Sequence, residues 1–332
     1  MRARPVGSSG LWLTELGLGG SMLGNLYRAT TDAQCQEAVD GAWDAGIRYF
    51  DTAPHYGLGL AERRLGRALA GRQRDAFVVS TKVGRLLVDD PSGVDRRDDA
   101  GFDVAAAARR VWDFRREGIL RSIDDSLQRL DLERVDIVYL HDPDDHWEQA
   151  VGEGFPALAQ LRAEGVVSAV GAGMNQSTML ARFVRETDMD VVMVAGRYTL
   201  LEHSALDDLL PAALDRGVAV VAAGVFNSGL LASSRPGPGA KYDYRDAPSE
   251  VLRRAQRIAA LCGRHGTTLP AAALRFPLGH PAVASVVIGV RDGAQMRANR
   301  AAFRGDVPAA LWEELRAEGL LPPQAPPPGV AP

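Results

Sequence analysis

Short apolar runs recur along this chain, and between them lie longer stretches in which apolar residues return every three or four positions. The runs have the length and β-branched content of buried strands, and the stretches have helical spacing. The series opens with Leu16-Gly17-Leu18-Gly19. Thr31-Asp32 then caps a predicted helix to Ala45, with Ala38, Ala42 and Ala45 along one side. A run through Tyr49 and Phe50 ends at Asp51, a helix is predicted over 61–70, and Phe77-Val78-Val79-Ser80-Thr81 ends at Lys82. Ile119, Ile123, Leu127 and Leu130 mark another helix, supported by Asp125 and Arg129 four residues apart. Val135-Asp136-Ile137-Val138-Tyr139-Leu140 ends at His141. Helices over 156–164, 177–186, 204–216, 249–265 and 293–300 then alternate with strands over 166–172, 191–195, 218–223 and 284–288. Eight strands, each followed by a helix, require crossover connections and therefore a parallel sheet. Eight units in one uninterrupted series predict an α/β fold, a closed (β/α)8 TIM barrel. A small hairpin with a Ser-Gly turn is expected ahead of it, over 6–13. Two long loops, 83–117 and 224–247, fall on the side where the strands end. No linker breaks the alternation, so one domain is expected over 1–320, with a Pro-rich flexible tail over 321–332.

Composition narrows the function classes. The 332 residues are 46% hydrophobic and 24% charged, with a net charge of -4. That balance gives no general attraction to nucleic acid or to an anionic membrane surface. Arg63-Arg64 and Arg109-Arg110 sit beside acids and read as solvated faces. The two cysteines, Cys35 and Cys262, fit no metal or redox spacing and suit a reducing compartment. The basic start Met1-Arg2-Ala3-Arg4-Pro5 runs into Gly7-Ser8-Ser9-Gly10 where a signal peptide needs an apolar core, and no apolar run reaches membrane-spanning length. A cytoplasmic monomer or small homo-oligomer acting on a small molecule is the expectation.

Three of the apolar runs end in chemistry: an acid at Asp51, an amine at Lys82 and an imidazole at His141, with the phenol of Tyr56 on the loop after the first. In a barrel of this kind, strand C-termini share one rim. A carboxylate leaving a buried strand needs a cationic partner, which Lys82 can supply. A nearby ammonium favours the phenolate and is expected to lower the Tyr56 pKa from its usual value of about 10. A neutral His141 could orient a substrate oxygen. The set handles a proton at a carbonyl or hydroxyl but offers no nucleophile, so an external hydride donor is its natural complement. The GxGxxG fingerprint fails at Gly17-Leu18-Gly19, because position 22 is Met22, and Gly57-Leu58-Gly59 and Gly171-Ala172-Gly173 also lack the third glycine. A candidate phosphate site is instead Ile288-Gly289-Val290-Arg291-Asp292-Gly293, where a strand passes into a helix start. Tyr198 and Phe226 could stack on a cofactor ring or belong to the core. His55, Leu86, Trp112, Phe114 and Trp147 are candidate walls of a substrate pocket. A second reading takes His141-Asp142-Pro143-Asp144-Asp145-His146 as a metal site in a hydrolase, but metal barrels draw histidines from several strands and this chain has only six. No metal is expected.

These residues resemble the aldo-keto reductase family over about 5–305. The matching stretches are Phe50-Asp51-Thr52-Ala53 with Tyr56-Gly57, Ser80-Thr81-Lys82, Ser126-Leu127-Gln128-Arg129-Leu130, Asp136 to His141, and the spacing of Gly289, Arg291, Gln295 and Asn299. The resemblance implies a barrel that binds NADP or NAD without a Rossmann domain, and a catalytic tetrad of Asp51, Tyr56, Lys82 and His141. It further implies cofactor contacts at Met22, Asn175, Phe226, Asn227, Ser228, Leu230, Gly289, Arg291, Gln295 and Asn299, to which Tyr198 is added as a candidate stacking partner. Gly118-Ile119-Leu120-Arg121-Ser122, His141-Asp142-Pro143, Gly171 to Gln176 and Gly224 to Gly229 look like the L-fucose, L-galactose and D-threo-aldose 1-dehydrogenase branch. The family's usual proline before the eighth-strand glycine is Ile288 here. Only Arg291 is basic where NADP-preferring members often carry two cations, and Asp292 follows it, which tips the balance toward NAD. Oxidation of an aldose at C1 is the leading expectation. An NADPH-dependent aldehyde or ketone reductase and a non-catalytic nicotinamide-sensing subunit are the alternatives.

Overall fold

The computed structural model describes residues 1–328. Eight parallel strands close into a barrel: β1 Leu16–Gly19, β2 Tyr49–Asp51, β3 Val78–Val83, β4 Ile137–His141, β5 Ala169–Met174, β6 Val191–Ala195, β7 Ala219–Ala223 and β8 Val283–Gly289. Each pairs with its sequence neighbours, and β8 closes on β1 through Val286↔Leu16 to Gly289↔Gly19. Helices cover the outside: α1 Asp32–Asp44, α2 Leu60–Leu69, α3 Arg116–Leu130, α4 Phe155–Ala163, α5 Ser177–Glu186, α6 Leu209–Arg216, α7 Ser249–Arg264, α8 Leu269–Arg275, α9 Gly293–Arg304 and α10 Ala309–Ala317. No helix among the described residues is long and apolar enough to cross a membrane.

The two-residue period of a strand divides the core in two. Phe50, Val79, Val138, Val170, Val192, Val220 and Val286 face the helices. Tyr49, Ile137, Tyr139, Ala169, Val191, Met193, Ala219 and Val221 fill the barrel, which Val6 and Leu13 close from below. The same parity carries Asp51 two residues beyond Tyr49, Lys82 two beyond Ser80, and His141 two beyond Tyr139. All three therefore point inward at the upper end.

Several expectations need correction. The loop over 83–117 contains an antiparallel pair, Arg85–Asp89 with Ala108–Trp112. Arg85-Leu86-Leu87-Val88 does not alternate and its partner carries two adjacent arginines, so neither gives a strand pattern. The N-terminal hairpin pairs Ala3–Pro5 with Trp12–Thr14, so its first strand precedes the expected stretch and its second overlaps the end of it. The loop over 224–247 holds a two-residue strand pair, Lys241–Tyr242 with Arg245–Asp246. Helices α8 and α10 lie in stretches the periodicity left unassigned; α8 is short, carries Pro270 in its first turn and is capped by the Thr268 side chain. The Pro-rich segment is packed rather than loose as far as 328: Leu321 and Ala325 are buried, and Pro326 to Pro328 lie against Gly279. Residues 329–332 of the expected tail lie outside the described residues.

Candidate active site

Asp51, Lys82 and His141 converge at the upper end of the barrel. Lys82 Nζ donates to Asp51 Oδ2 at 2.6 Å and to the Thr52 carbonyl at 3.0 Å. Asp51 Oδ1 accepts from Ser80 Oγ at 2.7 Å. Because a carboxylate only accepts, the Ser80 hydroxyl is committed to Asp51 and can only accept from Tyr49 Oη, 3.1 Å away. Tyr49 must in turn accept from Tyr139 Oη at 3.2 Å. A directed chain of hydroxyls thus feeds the acid from inside the barrel. Lys82 and Asp51 are only 2% and 3% exposed. Burial works against the Lys82 ammonium, but Asp51 and then Tyr56 outweigh it and raise its pKa.

Tyr56 reaches the same point from the loop after β2. Gly57 takes φ of +62°, and a Cβ there would lie 2.2 Å from the Gly24 carbonyl oxygen. The two loop backbones touch, which only glycine permits. The Lys82 ammonium lies 4.9 Å from the centroid of the Tyr56 ring, and the His141 ring stands edge-on to it at 5.9 Å. With two of its three donors on Asp51 and Thr52, Lys82 has one left for the phenol side. Contrary to the expected lowering, the Tyr56 pKa is raised: burial is the largest influence, and the opposing charge of Lys82 does not overcome it. His141 is held well below its ordinary pKa by burial and then by Arg85 and Lys82, so its imidazole is neutral. His55 beside it is pushed to about 2 by burial and the same cationic surroundings. Both Nδ1 atoms are buried without a hydrogen-bond partner.

A cavity of about 930 Å³ opens from these four residues and runs to the start of α9. Met22, Asn175, Phe226, Asn227, Ser228, Gly289, Arg291, Gln295 and Asn299 line it, as does His55. Tyr198 and Leu230 do not. Tyr198 is buried against Phe276, with ring centroids 5.0 Å apart, and Leu230 is 1% exposed in the core. The other four expected wall residues also lie elsewhere. Phe114 is buried, Trp112 stacks on it at 5.9 Å, Leu86 is buried in the added hairpin, and Trp147 packs on Phe183 at 4.5 Å. The hairpin carries Leu86 and Trp112 away from the cavity, and Phe102 lines it instead, edge-on to His55 at 5.3 Å. Tyr27, Tyr244 and Asp142 also line it without having been anticipated. Phe102 carried a signal, as an aromatic in a polar loop; the others depend on which way their loops turn.

A model of the aldo/keto reductase family matches residues 15–317. The chain belongs to this family. It is 49% identical to a D-threo-aldose 1-dehydrogenase of a Pseudomonas species, over 95% of this chain and 97% of that one. It is 41% identical to a pyridoxal 4-dehydrogenase of Microbacterium luteolum, over 96% and 97%. An aldo-keto reductase from Bacillus halodurans in its holo form superposes with a TM-score of 0.75, at 26% identity and 97% of both chains. This aldo-keto reductase is therefore an NAD(P)-dependent oxidoreductase.

The cavity fits a nicotinamide dinucleotide. Its walls include Gly19, Gly20, Gly173, Gly196, Gly224 and Gly289, and a Cβ at Gly20 or Gly289 would come within 3.0 Å of existing atoms. Asn227 Oδ1 is buried without a partner at its edge. At the far end the Asp292 carboxylate caps α9, accepting from Gln295 N at 2.8 Å. The helix terminus expected to receive phosphate thus already holds an acid. Arg291 donates to the Leu26 carbonyl at 2.7 Å and lies close enough to Arg28 for the two charges to interact. Arg28 is a second cation that spacing along β8 could not reveal.

Proposed function

We propose that this aldo-keto reductase oxidises C1 of an aldose to the lactone, with Tyr56 as the acid–base group. The observation that carries the reading is the buried Ser80–Asp51–Lys82 chain ending beside the Tyr56 ring. Bound nicotinamide supplies or takes up the hydride. Lys82 Nζ, fixed by Asp51 and Thr52, turns its remaining N–H toward the phenol and stabilises the phenolate that then takes the proton of the anomeric hydroxyl. His141, neutral, donates from Nε2 to the reacting oxygen and orients it. In the reverse direction Tyr56 gives the proton back. Met22, Asn175, Phe226 to Ser228, Gly289, Arg291, Gln295 and Asn299 hold the cofactor, and NAD is preferred because a 2′-phosphate would meet the Asp292 carboxylate. The sugar assignment rests on the 49% relative.

A non-sugar aldehyde or its hemiacetal is the second reading, favoured by the relative named pyridoxal 4-dehydrogenase. Tyr56→Phe tests the shared chemistry. It should bind cofactor normally and lose turnover by a factor of about 100 or more. A raised Tyr56 pKa makes oxidation faster as pH rises, since the phenolate is the base, and reduction slower. A near-normal rate in the variant, or an oxidation rate flat from pH 6 to 10, removes Tyr56 from the role.

A further inference from the structure

Beyond Asp51, Tyr56, Lys82 and His141, a further charged group lines the cavity beside the imidazole. Asp142 follows His141 directly and lines the cavity, with its Oδ2 3.7 Å from His141 Nε2. Its backbone turns into the left-handed region, φ +41°, and its N–H donates to the Gly173 carbonyl at 3.0 Å. That turn brings the carboxylate back over the rim instead of letting it follow the strand outward. The Arg85 guanidinium donates to Oδ2 and is itself held over the Trp112 ring at 4.3 Å. Among the described residues, Oδ1 accepts no hydrogen bond.

The charges around it are matched. Arg85 pairs with Asp142, and Arg110 pairs with Asp98 at 2.6 and 3.1 Å. Among the described residues, each of these two cations already has its acid, and an acceptor-only carboxylate oxygen asks for a donor. With Oδ2 of the carboxylate 3.7 Å from His141 Nε2, the two groups sit close enough to serve oxygens on neighbouring carbons, one held by His141 and the next by Asp142. We propose that Asp142, fixed by Arg85, accepts a hydrogen bond from a substrate hydroxyl on the carbon next to the reacting one. Asp142 thereby selects neutral 2-hydroxy aldehydes and aldoses over deoxy and anionic analogues. The assignment rests on Tyr56 and His141 holding the reacting oxygen, but not on the substrate being a sugar.

A site built to bond a hydroxyl rejects the analogue that lacks it far more strongly than an apolar pocket does. The test compares kcat/KM for glyceraldehyde with that for 3-hydroxypropanal in reduction, and for an aldose with its 2-deoxy analogue in oxidation. Wild type, Asp142→Ala and Asp142→Asn are measured side by side. The wild type should favour the 2-hydroxy compound at least tenfold, Asp142→Ala should bring the ratio within twofold of unity, and Asp142→Asn should fall between. The ratio within one variant does not depend on how much of it is folded, and Asp142→Asn keeps the shape if the alanine variant fails to accumulate. Equal ratios in all three proteins, or no preference in the wild type, overturn the proposal. Should aldoses not be oxidised at all while the glyceraldehyde ratio behaves as stated, the sugar reading fails and this one stands.

Discussion

Lys82→Met isolates the interaction on which the site is built. The substitution keeps most of the side chain's volume and removes a charge from a position that is 2% exposed. Asp51 then retains Ser80 as its donor but loses the ammonium at 2.6 Å. Breaking one side of a buried ion pair costs about 3–5 kcal/mol, because the remaining charge has neither water nor partner. Against a total stability of about 5–15 kcal/mol, that is a large share. The loss should depend on pH. In the variant, Asp51 binds a proton more readily folded than unfolded, so stability falls as pH rises and the deficit is smallest in acid. Asp51→Asn should behave oppositely. It strands the ammonium, so its deficit is smallest in alkali, where Lys82 can release its proton. The double variant has no stranded charge and should be more stable than the sum of the single losses by about 2 kcal/mol or more. Urea unfolding followed by tryptophan fluorescence at pH 6 and pH 9 measures all four proteins. Losses that add within about 0.5 kcal/mol, the range for independent sites, with no dependence on pH, would refute the reasoning.

Two further outcomes follow from the cofactor end and from the buried histidines. The wild type should show a higher kcat/KM with NAD than with NADP, and Asp292→Asn should improve NADP use about fivefold by removing the repelling carboxylate; an NADP preference in the wild type would mean that Arg28 and Arg291 outweigh it. Burial pushes His203 and His280 down to about 4, against an unfolded value of about 6.5. A lowered pKa makes the unfolded chain the better proton binder, so stability is full above about 6.5 and is lost as pH falls toward 4. Each should cost about 2 kcal/mol between pH 7 and pH 5. An unfolding free energy unchanged over that interval would contradict their burial as neutral imidazoles.

What could be read from the residues followed their local character. Alternation of runs and helical stretches announces the barrel because a parallel strand cannot reach its neighbour without a crossover. Asp51, Lys82 and His141 were legible because each ends a run, and strand ends share a rim. The wall residues were not. Trp112 and Phe114 are aromatic and near the right strand, but the Arg85–Asp89 pairing turns them toward His146, while Phe102 swings in. Tyr198 has a suitable position after β6 and is nonetheless core, because Phe276 lies across it.

The one-dimensional pattern by itself determined the barrel, the order of its eight strands and the three strand-end groups, since hydrophobic period and strand parity act over a few residues. Only the tertiary structure decided the sign of the Tyr56 shift, the hydroxyl chain from Tyr139 to Asp51, the return of Asp142 over the rim and the second cation at Arg28. Each of these depends on distances between segments far apart in the chain, where burial competes with charge and the outcome is set by a few ångströms.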